Sequence, residues 1–70
     1  MLEFDGQKLK KLRKAKKMTQ TAVAEQVGKK TSHISNYENG FACPPSDVLL
    51  SLLEFFKVSH IEVSKTPEVN

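Results

Sequence analysis

Apolar positions in this chain recur at helical spacing in four short stretches, each bounded by residues that start or stop helices. In residues 6–17, GQKLKKLRKAKK, Leu9 and Leu12 stand three apart and Ala15 continues that face, while lysines occupy most of the rest. In residues 20–27, Val23 and Val27 form an i,i+4 pair, and in residues 31–39, Ile34 and Tyr37 form an i,i+3 pair. Residues 46–57 carry the broadest stripe: Val48, Leu49, Leu52, Leu53 and Phe56 recur at i, i+1, i+4, i+5 and i+8, with Leu50 and Phe55 off it. Asp5 and Thr19 are N-cap candidates, although Gly6 blurs the first start. Gly28 and Gly40 can take the left-handed conformation that ends a helix without a Cβ clash. The pattern predicts an all-α bundle of four helices, with Leu2 and Phe4 of the lead-in available to pack back on the core. After Ser59, Ile61 and Val63 alternate and Pro67 stops any helix soon afterwards. A short fifth helix and an extended segment both fit residues 60–65, and a strand there could pair between two subunits.

The stretch Gln20 to Gly40 organises the rest. Ala24, four residues before Gly28, is small enough for a second helix to cross closely, and Ile34 follows the glycine by six. Two such helices at a steep angle form a helix-turn-helix, which in DNA binders sets the second helix in the major groove. With Ile34 and Tyr37 facing inward, Thr31, Ser32, Ser35 and Asn36 lie on its outer face and His33 at the edge. These groups are short and polar. Asn can bond adenine twice and Ser or Thr can serve either base type, but no Arg stands here to fork onto guanine, so contacts favour A·T positions or run through water and thymine methyls.

Charge sharpens this picture. The net charge is +3 over 70 residues. Residues 6–40 hold nine Lys/Arg against two acids, whereas residues 41–70 hold two against four. A basic half suits a polyanion. Each lysine of the first helix reads either as a solvated residue or as a source of attraction to phosphate, which raises affinity without choosing a sequence. Lys11, and Lys29 and Lys30 of the turn, are the phosphate-contact candidates among them.

Length and residue chemistry exclude other classes. Seventy residues make one domain, marginal alone and helped by dimerisation. The surplus of large apolar groups in residues 46–57 also points to a partner, most simply a second copy. No apolar run reaches 18 residues, and the first ten carry Glu3 and Asp5 without an apolar signal core, so neither a membrane span nor a signal peptide is expected. The single Cys43 forms no internal disulfide and no Cys/His cluster has zinc spacing, which fits a reducing cytoplasm and a fold without metal or cofactor. Nothing supplies nucleophile, base and oxyanion donor together, so an enzyme is not expected. A small-molecule effector is not expected either, since a chain this short has little room for a ligand domain.

Taken together, Arg13, Thr19, Gln20, Ala24, Gly28, Ile34, Glu38-Asn39-Gly40, Pro44 and Val58-Ser59 resemble the Cro and phage-repressor (Xre) class of helix-turn-helix regulators over roughly residues 6–60. The resemblance implies a lambda-repressor-like bundle of four to five helices. It implies a structural ion pair between Arg13 and Glu38, with a DNA contact by Arg13 as the other reading. It makes Thr31, Ser32 and Asn36 the base readers, has Gln20 bridge phosphate and recognition helix, and has Asn39 donate to phosphate. Ser35 and His33 join the phosphate contacts. Ser59 would cap a fifth helix at the dimer contact, making residues 1–5 a lead-in, 6–60 the DNA-binding domain and 61–70 a C-terminal dimerisation segment and tail. Relatives often carry Lys or Arg in the loop at residues 41–45; this chain has Phe41, Ala42, Cys43, Pro44 and Pro45 there, and Phe41 is expected to pack on the domain, with contact to a deoxyribose or base as the other reading. The implied function is a sequence-specific transcriptional regulator, more a repressor than an activator, binding a near-palindromic double-stranded DNA operator as a homodimer. An antitoxin, a restriction–modification controller or a protein-interaction adaptor of the same fold are the alternatives.

Overall fold

The starts of the first two helices follow from their caps. Asp5 is extended and its carboxylate accepts from the Gln7 amide at 2.9 Å, starting α1 at Gly6–Ala15. Thr19 Oγ1 accepts from the Ala22 amide at 3.0 Å and starts α2, Gln20–Val27. A three-residue turn leads into α3, Thr31–Glu38, and the Pro44-Pro45 stretch into α4, Ser46–Phe56. The structure is a computed structural model, and it describes residues 4–59 together with 63 and 64.

All four helices stop in the same way. In each, a residue of positive φ follows the last turn, and the next amide reaches back five residues to close a Schellman motif. Two of these positions are glycine: Gly28 (φ 70°) with Lys29 N–H to Ala24 O at 2.9 Å, and Gly40 (φ 81°) with Phe41 N–H to Asn36 O at 2.9 Å. The other two are lysine: Lys17 (φ 57°) with Met18 N–H to Arg13 O, and Lys57 (φ 57°) with Val58 N–H to Leu53 O, both at 3.1 Å. These reversals correct the expected ends. The first helix stops at Ala15 rather than residue 17, and the fourth at Phe56 rather than residue 57. Ala15 also proves exposed instead of extending the Leu9–Leu12 face, because α1 has already run off the core there.

The core is Leu9, Val23, Ala24, Ile34, Tyr37, Val48, Leu52 and Phe56, with Phe4, Leu12, Met18, Val27, Phe55 and Val58 packed around it. Every helix contributes, and burial of the large aliphatic and Phe side chains, each worth about 1.5–3 kcal/mol, fixes α3 against α1 and α2, and α4 against α2. Gly6 permits the tightest approach. A Cβ there would lie 2.0 Å from Tyr37 O and 2.7 Å from Glu38 O, so the start of α1 can touch the end of α3 only as glycine. Gln7 Nε2 then donates to Glu38 O at 3.2 Å.

Of the segment after Ser59, Val63 and Ser64 lie among the described residues, and both are buried. Ser64 forms an isolated antiparallel bridge with Phe4, the Asp5 amide donates to Val63 O at 2.6 Å, and Lys8 Nζ donates to Ser64 O at 2.6 Å. This pairing is made within one chain and straps the start of α1. The rest of residues 60–65, where a fifth helix or a strand was expected, lies outside the described residues, as does the remainder of the tail. Among the described residues no helix is long and apolar enough to cross a membrane.

Candidate nucleic-acid interface

The second and third helices pack as a helix-turn-helix, and buried polar bonds set how α3 is presented. Glu38, at the last turn of α3, is 1% exposed. Arg13 meets its carboxylate with two parallel bonds, Nε to Oε2 at 2.6 Å and Nη2 to Oε1 at 3.1 Å, and spends Nη1 on Met18 O at 2.8 Å. Gln20 Nε2 adds a third donor to Glu38 Oε1 at 3.0 Å. A buried carboxylate is tolerable only when charge and lone pairs are answered, and here they are. Three elements, α1, α2 and the turn between them, are thereby locked to the end of α3.

With its inner face so held, α3 turns Thr31, Ser32, His33 and Asn36 to the surface, Lys29 and Lys30 are exposed in the turn before it, and Lys11 is exposed on α1. Lys30 occupies the N-cap of α3, but an ammonium group cannot accept a hydrogen bond. His33 instead reaches back, its Nδ1 accepting from the Lys30 amide at 3.2 Å. Ser35 is half-buried rather than on the outer face, and its Oγ accepts from Asn39 Nδ2 at 3.2 Å. Two phosphate candidates therefore brace one another at the end of α3.

Phe41 departs from expectation. It is 80% exposed, not packed on the domain, because the Gly40 reversal turns its amide in to Asn36 and its ring out. Leu50 of α4 is 60% exposed, and Leu49, Leu53 and Phe55 are only partly covered. A cleft of about 210 Å³ runs between the start of α1 and the loop after α3, lined in part by Gly6, Tyr37, Gly40 and Cys43. The carboxylates on its wall are already occupied, Asp5 by the cap of α1 and Glu38 by Arg13. Among the described residues no three His, Cys, Asp or Glu side chains gather as a metal site would require.

The family model that describes a helix-turn-helix matches residues 9–63, most of the chain. The chain belongs to the Cro/C1-type (Xre) helix-turn-helix family. Among curated proteins none matches the sequence significantly. Solved structures do. The P22 c2 repressor, solved with a synthetic operator, is 28% identical with a TM-score of 0.79, over 83% of this chain and 88% of that one. The restriction–modification controller C.AhdI of Aeromonas hydrophila is 28% identical with a TM-score of 0.76, over 83% and 88%. The biofilm master regulator SinR, solved with DNA, is 29% identical with a TM-score of 0.72, over 81% and 95%.

Two residues of this family member carry more of the site than sequence reasoning assigned them. Gly6 is a contact residue, and a glycine in the first turn of an otherwise lysine- and leucine-rich helix was the available signal. Thr21 is the other: its Oγ1 lies 3.0 Å from Thr31 Oγ1, joining the first turn of α2 to the first residue of α3. Two hydroxyls ten residues apart carry no local signature, so only the packing of the helices reveals that contact.

Proposed function

We propose that this chain is a sequence-specific DNA-binding transcriptional regulator, a cytoplasmic repressor whose homodimer lays two copies of α3 in successive major grooves of a near-palindromic operator. The observation that carries this reading is an exposed polar helix, Thr31, Ser32 and Asn36 outward, held rigidly by the buried Arg13–Glu38–Gln20 bonds within a half of the chain bearing nine Lys/Arg and two acids. A preorganised helix in a positive field is what groove reading needs. Family membership and the likeness to a repressor solved with its synthetic operator and a regulator solved with DNA support it. In this reading Thr31, Ser32 and Asn36 read base edges. Lys11, Lys29, Lys30 and His33 Nε2 meet phosphates, with the Ser35–Asn39 pair at the far end. Gln20 Nε2 has two hydrogens, one given to Glu38 and the other directed to phosphate. The exposed Leu50 and its neighbours on α4 supply apolar surface for the second subunit. No catalytic step is assigned to the chain. The likeness to C.AhdI favours, as a second reading, a restriction–modification controller acting by the same DNA contacts.

Selection of bound sequences from a random duplex pool, repeated at two salt concentrations, tests the proposal. An inverted-repeat consensus with half-sites about ten base pairs apart, and affinity falling steeply with salt, is the expected result. No enrichment, with binding that salt barely changes, would point instead to a protein-interaction adaptor.

A further inference from the structure

Two successive residues in the first turn of α2 hold the two ends of α3. Gln20 reaches Glu38, the last residue of α3, and Thr21 reaches Thr31, the first. The inner hold is part-buried and belongs to the ion-pair network. The outer hold is exposed, at the start of α3 where Ser32 follows. A hydrogen bond between two exposed hydroxyls adds little to folding, because water replaces either partner at almost no loss. Its effect is on direction. An exposed threonine at a helix start can occupy more than one staggered rotamer, and the bond to Thr21 selects one. A hydroxyl has one hydrogen and two acceptor positions. If Thr21 donates, Thr31 keeps its own hydrogen for a base acceptor; if Thr31 donates, it keeps a lone pair for a base donor. In both cases the base edge meets an oxygen already in place, so less rotational freedom is lost on binding.

We infer that Thr21 is a positioning residue for base recognition: it fixes the Thr31 hydroxyl that reads the base pair under the start of α3, without touching that base itself. The inference rests on the proposed reading of α3 as a recognition helix. Its test compares bound-sequence selections for wild type, Thr21→Val, Thr21→Ser, Thr31→Val and the Thr21→Val/Thr31→Val double variant. Affinities for the selected and a scrambled duplex are measured at two salt concentrations alongside. Valine keeps the shape and branching of threonine and removes only the hydroxyl. Thr21→Val is expected to weaken preference about three- to tenfold, the worth of one neutral hydrogen bond, at the base pairs that Thr31→Val also affects. Preference opposite Asn36, affinity for the scrambled duplex and the salt slope stay as in wild type. Thr21→Ser restores the preference, and Thr21→Val changes nothing further once Thr31 is valine. The inference is overturned if Thr21→Val keeps the wild-type preference at every position, or if it weakens selected and scrambled duplexes alike, which would make Thr21 a phosphate or folding contact. Failure of the wild-type protein to enrich any sequence would instead overturn the recognition-helix reading, and this inference with it.

Discussion

Arg13 and Glu38 stand 25 residues apart in sequence and meet through two bonds, 2.6 and 3.1 Å long, that join the last turn of α1 to the last turn of α3. Both partners are largely desolvated, so removing one strands the other. Arg13→Ala is expected to cost about 3–5 kcal/mol, as does breaking a buried pair generally. The Arg13→Met/Glu38→Leu double variant, which leaves no buried charge, should cost clearly less than the two single losses added together. Urea unfolding midpoints measure both; a loss under about 1 kcal/mol for Arg13→Ala would show that the pair does not hold the fold.

The four helix ends separate into two kinds, and the difference predicts a gain. Gly28 and Gly40 take positive φ freely, whereas Lys17 and Lys57 do so against their Cβ atoms. Lys17→Gly and Lys57→Gly should each stabilise the fold by about 0.5–1 kcal/mol, the strain relieved less the entropy that glycine adds to the unfolded chain. Thermal unfolding reads this directly. Lys57→Gly is the cleaner variant, because Lys57 lies outside the basic half and should leave DNA affinity unchanged; a lower melting temperature would refute the strain.

Gly6 predicts the opposite sign. In an ordinary helix Gly→Ala gains up to about 1 kcal/mol. Here the added Cβ meets Tyr37 O at 2.0 Å, so α1 must lift from α3. Gly6→Ala should destabilise by about 1–3 kcal/mol and, by loosening the Gln7–Glu38 contact, lower operator affinity as well. Equal or greater stability on denaturant unfolding would mean that the two helices separate without loss.

These three cases mark what the sequence makes legible. The caps at Asp5 and Thr19, the Gly28 and Gly40 reversals and the apolar periods around Leu9, Ile34 and Leu52 are local signals, and they place all four helices. Lys17 and Lys57 conceal two helix ends because lysine is a good helix former and only the tertiary path forces it into the left-handed region. Gly6 and the Thr21–Thr31 contact depend on how close two helices come, which periodicity does not encode. The hydrophobicity of Phe41 suggests packing, but the Gly40 turn decides where its ring points. Helical angle puts Ser35 on the outer face, but it does not encode the half-burial that the packed helices give it.

Substitution of His33 tests stability and binding together. It closes the N-terminus of α3 through Nδ1, at the third helical position where glutamate is the usual partner. His33→Glu should keep that bond and add a carboxylate near the positive helix end and Lys29 and Lys30, stabilising the fold by about 0.3–1 kcal/mol at low salt. The same charge sits on the exposed face of α3, which the proposed function sets against DNA, so affinity for selected and scrambled duplexes should fall together. A variant that is more stable and binds DNA undiminished would remove His33 from the interface.

The division between reading and steering is open to a direct comparison of Asn36 and Lys11. Asn36 is exposed on α3 and its amide offers both a donor and an acceptor, the pattern that matches adenine; Lys11 is exposed on α1 and offers only charge. Asn36→Ala should relax preference at one base pair per half-site, worth about 1–3 kcal/mol of discrimination, and leave scrambled duplex bound as before. Lys11→Ala should weaken every duplex by a similar factor and reduce the salt slope by about one per subunit if the ammonium meets a phosphate. Fluorescence anisotropy with matched and scrambled duplexes at several salt concentrations separates the two. If both variants lose the same factor on both duplexes, Asn36 contributes no base reading, and sequence preference must come from Thr31, Ser32 or the deformability of the operator.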